Sequence, residues 1–148
     1  MPETCFKGRA ILPGDVEGEA VVSPQGFNIL ATYQETVIRR RKHAIGGDKN
    51  NPHVYGVDLT GKILIIPSGI GSTTGGIIIA EIALLGVAPK AIVCTREADT
   101  LTTSGVALAH EWFGKKIALI DKVSDEIFQH VKTGNCVKVT SKGEVCII

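Results

Sequence analysis

The sequence predicts an α/β fold: a three-layer β/β/α domain around a central, mostly parallel sheet. Three observations carry that expectation. The first third is rich in short β-prone runs and turns, as in Phe6 to Val22, FKGRAILPGDVEGEAVV. From Lys62 onward, three continuous apolar runs, KILII, AIVCT and KKIALID, alternate with stretches of helical character. Unbroken apolar runs mark strands buried on both faces, and strand–helix alternation builds parallel sheets. Finally, the 148 residues, 44% hydrophobic and 21% charged, are the size and composition of one domain, residues 1–148, with a real core. Aromatics are only 5%, so Ile, Val, Leu and Ala must build that core.

Along the chain, the β-rich opening is expected to break at Pro13-Gly14-Asp15 and at Gly18. FNILATY is a second apolar run, and QETVIRRRKHA reads equally as a short helix or an irregular basic strand. IGGDKNNPHVYGVDLTG is polar and turn-rich, which predicts a surface loop. KILIIPS is then a buried strand, and GGIIIAEIALLG a helix with Thr73 and Thr74 as candidate caps and Gly86 as its stop. APKAIVCT is the next strand, DTLTTSGVALAHEWFG a helix ending at Gly114, and KKIALID a third strand. SDEIFQHVKTG predicts a short helix capped by Ser124 or Asp125, and NCVKVTSKGEVCII a closing hairpin turning at Ser141-Lys142-Gly143. No internal repeat or low-complexity segment is present.

A net charge of +1 argues against nucleic acid or an anionic membrane as a general electrostatic partner. The one basic run, Arg39-Arg40-Arg41-Lys42, reads as a solvated face or a subunit contact. The N-terminus MPETCFKGRAILPGD lacks a signal peptide's apolar run, and no stretch is long enough to span a bilayer. The four cysteines, Cys5, Cys94, Cys136 and Cys146, show neither metal-ligand nor disulfide-framework spacing, so all four are expected to be reduced and structural, Cys94 as a buried thiol. That pattern predicts a cytoplasmic protein that binds no metal itself.

The chemistry is concentrated in Pro67 to Gly76, PSGIGSTTGG, between the first buried strand and its helix. Ligands gather at the carboxyl ends of parallel strands. There, backbone N–H groups and a helix N-terminus favour an anion, and glycine lets backbone approach a ligand closely. Hydroxyls of Ser72, Thr73 and Thr74 can donate to a carboxylate or phosphate. The same residues also suit a tight turn with Ser and Thr as caps. The loop is not a nucleotide P-loop, a dinucleotide fingerprint or a hydrolase elbow, because none of those glycine, lysine or serine spacings is met. His43, His53, His110 and His130 read as surface or helix residues, with no triad order among the candidates.

The ordered set Gly61-Lys62, Pro67, Gly69-Ile70-Gly71-Ser72, Ala88-Pro89-Lys90-Ala91-Ile92-Val93 and Asp99-Thr100-Leu101, together with the opening GRAILPGDVEGEAVVSPQGF, resembles the small, swivelling subunit of the aconitase X family. The resemblance covers nearly the whole chain and is densest from Gly61 to Leu108. It implies a hydro-lyase subunit that closes over a large catalytic subunit and is inactive without it. The iron or iron–sulfur centre would be held by cysteines of that large subunit. The small subunit would supply a serine as proton acceptor, which corresponds to Ser72, with Gly71, Thr73 and Thr74 around the substrate. Bacterial members of the family dehydrate cis-3-hydroxy-L-proline, and archaeal ones phosphomevalonate.

Two departures bear on substrate. Ile70 stands where the family's loop carries an arginine, and SPQGFNILATYQ replaces a segment resembling PLSFWGGVD. On those grounds the hydroxyproline substrate is the expectation and phosphomevalonate the alternative, with Arg39 to Lys42 as possible compensating cations. A non-catalytic small-anion-binding module is a third reading. A phosphohistidine carrier is disfavoured, since residues 72–82 contain no histidine.

Overall fold

The computed structural model describes residues 4–71 and 74–148. Its main sheet runs in the order β1-β10-β9-β3-β5-β7-β8-β2. The central strands β3 (Val16–Val22), β5 (Ile63–Ile66), β7 (Ala91–Cys94) and β8 (Ala118–Asp121) are mutually parallel. Around them, β1 (Thr4–Lys7), β2 (Arg9–Leu12), β9 (Cys136–Val139) and β10 (Glu144–Ile147) pair antiparallel. The fold is therefore mixed α/β with a large sheet whose centre is parallel, as the apolar runs predict, and whose flanks are antiparallel.

Two features of the opening segment differ from expectation. Gly18 does not break the strand: it lies within β3, paired with Val137 of β9. The break falls instead at Gly8, between β1 and β2, which occupy opposite ends of the strand order. The sheet thus curls until its two edges belong to one chain segment. A Cβ on Gly8 would run into the Asp121 carbonyl and lie 2.6 Å from Val123 Cγ2, so this corner requires glycine.

Alternation along the strands divides the core in two. Ile63, Ile65, Ala91, Val93, Ala118 and Ile120 point inside the curl, against Val137, Val139 and Val145 of the hairpin. Leu64, Ile66, Ile92, Cys94 and Leu119 point outward to a helical layer. That layer comprises α1 (Ile29–Ile38), α2 (Gly75–Leu84) and α3 (Thr100–Phe113). These two cores are the physical content of the β/β/α description.

The ambiguous segment divides: Gln34 to Ile38 complete helix α1, which begins back in FNILATY, while Arg39 to Ala44 are turn, bend and irregular chain, neither helix nor strand. Ile29, Thr32, Tyr33 and Thr36 form the buried side of α1, a spacing of one helical face. Two threonines in that face hide the period from a hydrophobicity reading. The stretch expected to be a surface loop also contributes to the interior: Val54, Leu59 and Asn51 are fully buried, and Asn51 Nδ2 donates to Ser23 Oγ at 2.9 Å. The last helix is one turn, α4 (Ile127–His130), and Glu126 rather than Ser124 or Asp125 occupies its cap position. Ser124 Oγ accepts from the Glu126 N–H at 3.2 Å and so closes the turn at Asp125 and Glu126 that leads into the helix.

The cysteine expectation needs correction. Cys5 and Cys146 are joined in a disulfide, while Cys94 and Cys136 are free. The two partners are directly opposite one another in the β1–β10 register, although 141 residues apart in sequence. Only strand pairing brings them together, so no spacing could reveal the bond, and cysteine usage no longer argues for a reducing compartment. Cys94 is the buried thiol expected. Burial, with added repulsion from the Asp99 and Asp121 carboxylates, pushes its pKa up to about 12, so it is a protonated, unreactive group. No described helix is long and apolar enough to cross a membrane.

Candidate functional site

At the carboxyl end of β5 the chain enters the Gly-rich loop and immediately pairs again. β6 (Gly69–Ile70) lies parallel to β4 (Phe27–Asn28), with Phe27 opposite Gly69 and Asn28 opposite Ile70. The Phe27 N–H donates to the Ser68 carbonyl at 3.0 Å. On the other side, the Thr95 and Arg96 N–H groups donate to the carbonyls of Ile66 and Pro67. The loop is therefore held from both flanks before it reaches α2.

Asp99 is the central brace. Its Oδ1 accepts from the Gly69 N–H at 2.8 Å and from Thr102 Oγ1 at 2.7 Å, and its Oδ2 accepts from the Thr102 N–H at 2.9 Å. One carboxylate thus caps α3 and anchors the loop. A Cβ on Gly69 would sit 2.5 Å from Thr102 Oγ1 and 2.8 Å from Asp99 Oδ1, which explains the glycine. Asn28 plays the same part for α1: its Oδ1 accepts from the Ala31 N–H at 3.0 Å, and its side-chain amide packs against Gly71, whose φ is +104°. α2 starts directly from the loop, with Thr74 at its cap position.

The N-termini of α1, α2 and α3 consequently converge on one loop. Asn28 and Asp99 take up one N–H each of α1 and α3, and the positive ends of the three helix dipoles still suit the loop mouth to an anion or to a developing oxyanion. Of the sequence-derived candidates, Gly71 and Thr74 sit at this convergence. Ser72 and Thr73 lie outside the described residues. Asn28 and Asp99 were not singled out as site residues by sequence reasoning, although an Asn and an Asp just before helical stretches are cap signals that could have pointed to them.

Charged groups at the same edge of the sheet are sorted by burial. Asp121, with no exposed side-chain surface, accepts from Arg9 Nε at 3.0 Å, Arg9 Nη2 at 2.8 Å and the Ala98 N–H at 2.8 Å. Burial alone would raise its pKa, but those hydrogen bonds and the Arg9 charge outweigh it and hold the carboxyl below its usual range. Arg96 and Lys122, at the ends of β7 and β8, are exposed, with no ion pair among the described residues. The four histidines are all exposed, and His43 Nδ1 lies 3.1 Å from Asp58 Oδ2, a surface contact.

Residues 5–147 match the family model described as the aconitase X swivel domain. The chain belongs to the aconitase X swivel-domain family. Relatives of this family member carry the name phosphomevalonate dehydratase small subunit. The Archaeoglobus fulgidus protein is 32% identical over 136 residues, covering 92% of each chain, and the Pyrococcus furiosus protein is 34% identical over 146 residues, covering 97% of this chain and 95% of its own. Among solved structures, the crystal structure of Thermococcus kodakaraensis aconitase X in its holo form superposes with a TM-score of 0.81 at 32% identity, covering 98% of both chains. These names favour the alternative substrate reading, phosphomevalonate, over cis-3-hydroxy-L-proline.

For a swivel domain of this family, Asp99 is the residue whose loss should loosen the loop most directly. Asp99→Ala removes a helix cap, worth about 0.5–2 kcal/mol, and leaves the buried Gly69 N–H without an acceptor, at about 1–3 kcal/mol. The expected result is a thermal midpoint lowered by roughly 5–15 °C at about 2–4 °C per kcal/mol, with partial recovery in Asp99→Asn, which keeps the acceptor oxygen. A midpoint unchanged in Asp99→Ala would mean that Asp99 does not brace the loop.

Proposed function

We propose that this chain is the small subunit of an aconitase X-type hydro-lyase, and that its loop dehydrates a phosphorylated hydroxy acid in partnership with a large subunit. The observation that carries the reading is the convergence of three helix N-termini on the Gly-rich loop, in a chain whose relatives are named phosphomevalonate dehydratase small subunits. Arg96 and Lys122 at the same edge supply unpaired cations for a phosphate, in place of the loop arginine that Ile70 replaces.

In this reading Ser72 is the proton acceptor. Removing a proton α to a carboxylate requires a strong base, and a serine alkoxide forms only where negative charge is strongly stabilised. The helix N-termini and the loop N–H groups are the chain's contribution to that stabilisation. Gly71, Thr73 and Thr74 are assigned to the substrate side. The iron centre is assigned to the large subunit. Among the described residues, the cluster with metal-ligand spacing is Cys5, Glu144 and Cys146, and it does not fit one, because its two sulfurs are bonded to each other.

The test is co-expression with the aconitase X-type large subunit encoded in the same genome, followed by dehydration assays on mevalonate 5-phosphate and cis-3-hydroxy-L-proline. Turnover of the phosphate ester only by the two chains together is the expected result. Turnover of hydroxyproline alone would restore the substrate that Ile70 suggests. Binding of inorganic phosphate by the single chain, with no complex and no turnover, would replace the enzyme reading with an anion-binding module.

A further inference from the structure

Helix α2 is unusually apolar on the side that faces away from the protein. Its buried side, Ile78, Ile79, Ile82 and Ala83, packs on the sheet and α3. The outward stripe at i, i+4 and i+7 is Ile77, Glu81 and Leu84, and Ile77 and Leu84 are 59% and 52% exposed. A helix at a protein surface ordinarily carries polar residues on that side. Together with Val37 and Arg40 at the end of α1, this stripe lines a groove of ≈ 510 Å³. Ile38, 69% exposed, lies at the same end of α1. Exposed apolar residues grouped in this way, here on either side of Glu81, mark an interaction site.

The charges about the groove are mostly positive: Glu81 lines it as one carboxylate, against the four cations of Arg39 to Lys42 at the end of α1. Glu35 is shared by Arg39, at 2.8 Å, and Arg41, at 3.8 Å. Arg40 and Lys42 make no ion pair among the described residues, and Arg40, at φ +48°, lines the groove itself. The complementary surface is an apolar ridge flanked by carboxylates. The groove also begins in the first turn of the helix that the Gly-rich loop opens, two residues past Gly75. A partner that completes the site at that loop reaches this face by continuing along the same helix.

We propose that the Ile77–Leu84 stripe of α2 and the Val37–Arg40 end of α1 form the face onto which the large subunit docks, through an apolar ridge bearing an acidic flank. This rests on the small-subunit reading above. It assigns the basic run a role as the electrostatic edge of a subunit contact, where steering by charge raises association rates.

The test is a titration of the same-genome large subunit with three variants of the full chain: Ile77→Glu/Leu84→Glu, Arg40→Glu, and Trp112→Ala on the exposed end of α3. Because all of these side chains are solvent-exposed, each variant is expected to melt within about 2 °C of wild type. The double variant is expected to bind at least about 30-fold more weakly, in keeping with loss of central apolar anchors, and Arg40→Glu to slow association with a weakened salt dependence. Trp112→Ala is expected to bind as wild type does. If wild type forms the complex and both groove variants bind equally well, the docking face is wrong while the small-subunit reading stands. If wild type forms no complex, both fall. A wild-type chain that is dimeric alone and becomes monomeric in the double variant would make this face a self-interface and overturn the proposal.

Discussion

Ser72→Ala in the assembled two-chain enzyme is expected to lower kcat by about 10²–10⁴-fold, the range that a positioned general base contributes. KM should change far less, because in the proposed reading the Ser72 alkoxide accepts a proton as the reaction proceeds rather than holding the ground state. The magnitude follows from where the residue falls. It lies in sequence between Gly71 and Thr74, in the loop on which three helices of ten, ten and fourteen residues direct their N-termini. Those termini stabilise an oxyanion, and an alkoxide is the species a serine base must form. The thermal midpoint of the isolated chain should stay within about 2 °C of wild type. A loss of less than about threefold would remove Ser72 from proton transfer and leave the loop as a binding element.

Breaking the Cys5–Cys146 bond is expected to have the largest effect on stability. The bond closes a loop of 141 residues, and in the chain-entropy description a closure of that length is worth about 5 kcal/mol. At this size the thermal midpoint should fall by roughly 10–20 °C in dithiothreitol or in Cys5→Ser. Cys5 is the better substitution site because it is exposed, so the change isolates the cross-link from core packing. The physical consequence is specific to this topology. β1 is an edge strand held only by β10, and its continuation through Gly8 into β2 closes the curl of the sheet. Loss of the bond frees one side of that closure. An unchanged midpoint in Cys5→Ser would show that strand pairing alone holds the edge.

The legibility of this fold differs element by element. β5, β7 and β8 are unbroken apolar runs, and a strand buried on both faces leaves no other composition available to it. α3 was equally plain, stopping at Gly114, whose φ is +63°. By contrast, α1 hides its inner face behind Thr32 and Thr36, and the polar segment 45–61 conceals Val54 and Leu59, because only the neighbouring helix and sheet make those positions interior. The candidate loop was readable from its glycines and hydroxyls. Its braces were not, because Asp99 reaches Gly69 across thirty residues.

What the sequence by itself determined is the class of fold, the position of the Gly-rich loop at a strand's carboxyl end, and membership of the family through motifs in order. Those properties rest on local composition and on spacing along the chain. The tertiary structure alone decided the cysteine pairing, the convergence of three helix N-termini and the apolar groove beside Arg40. Each of these depends on which distant segments become neighbours: β1 beside β10, Asn28 and Asp99 on either side of one loop, and the end of α1 against α2. Proximity of that kind is set by strand register and layer packing, which no short stretch of sequence encodes.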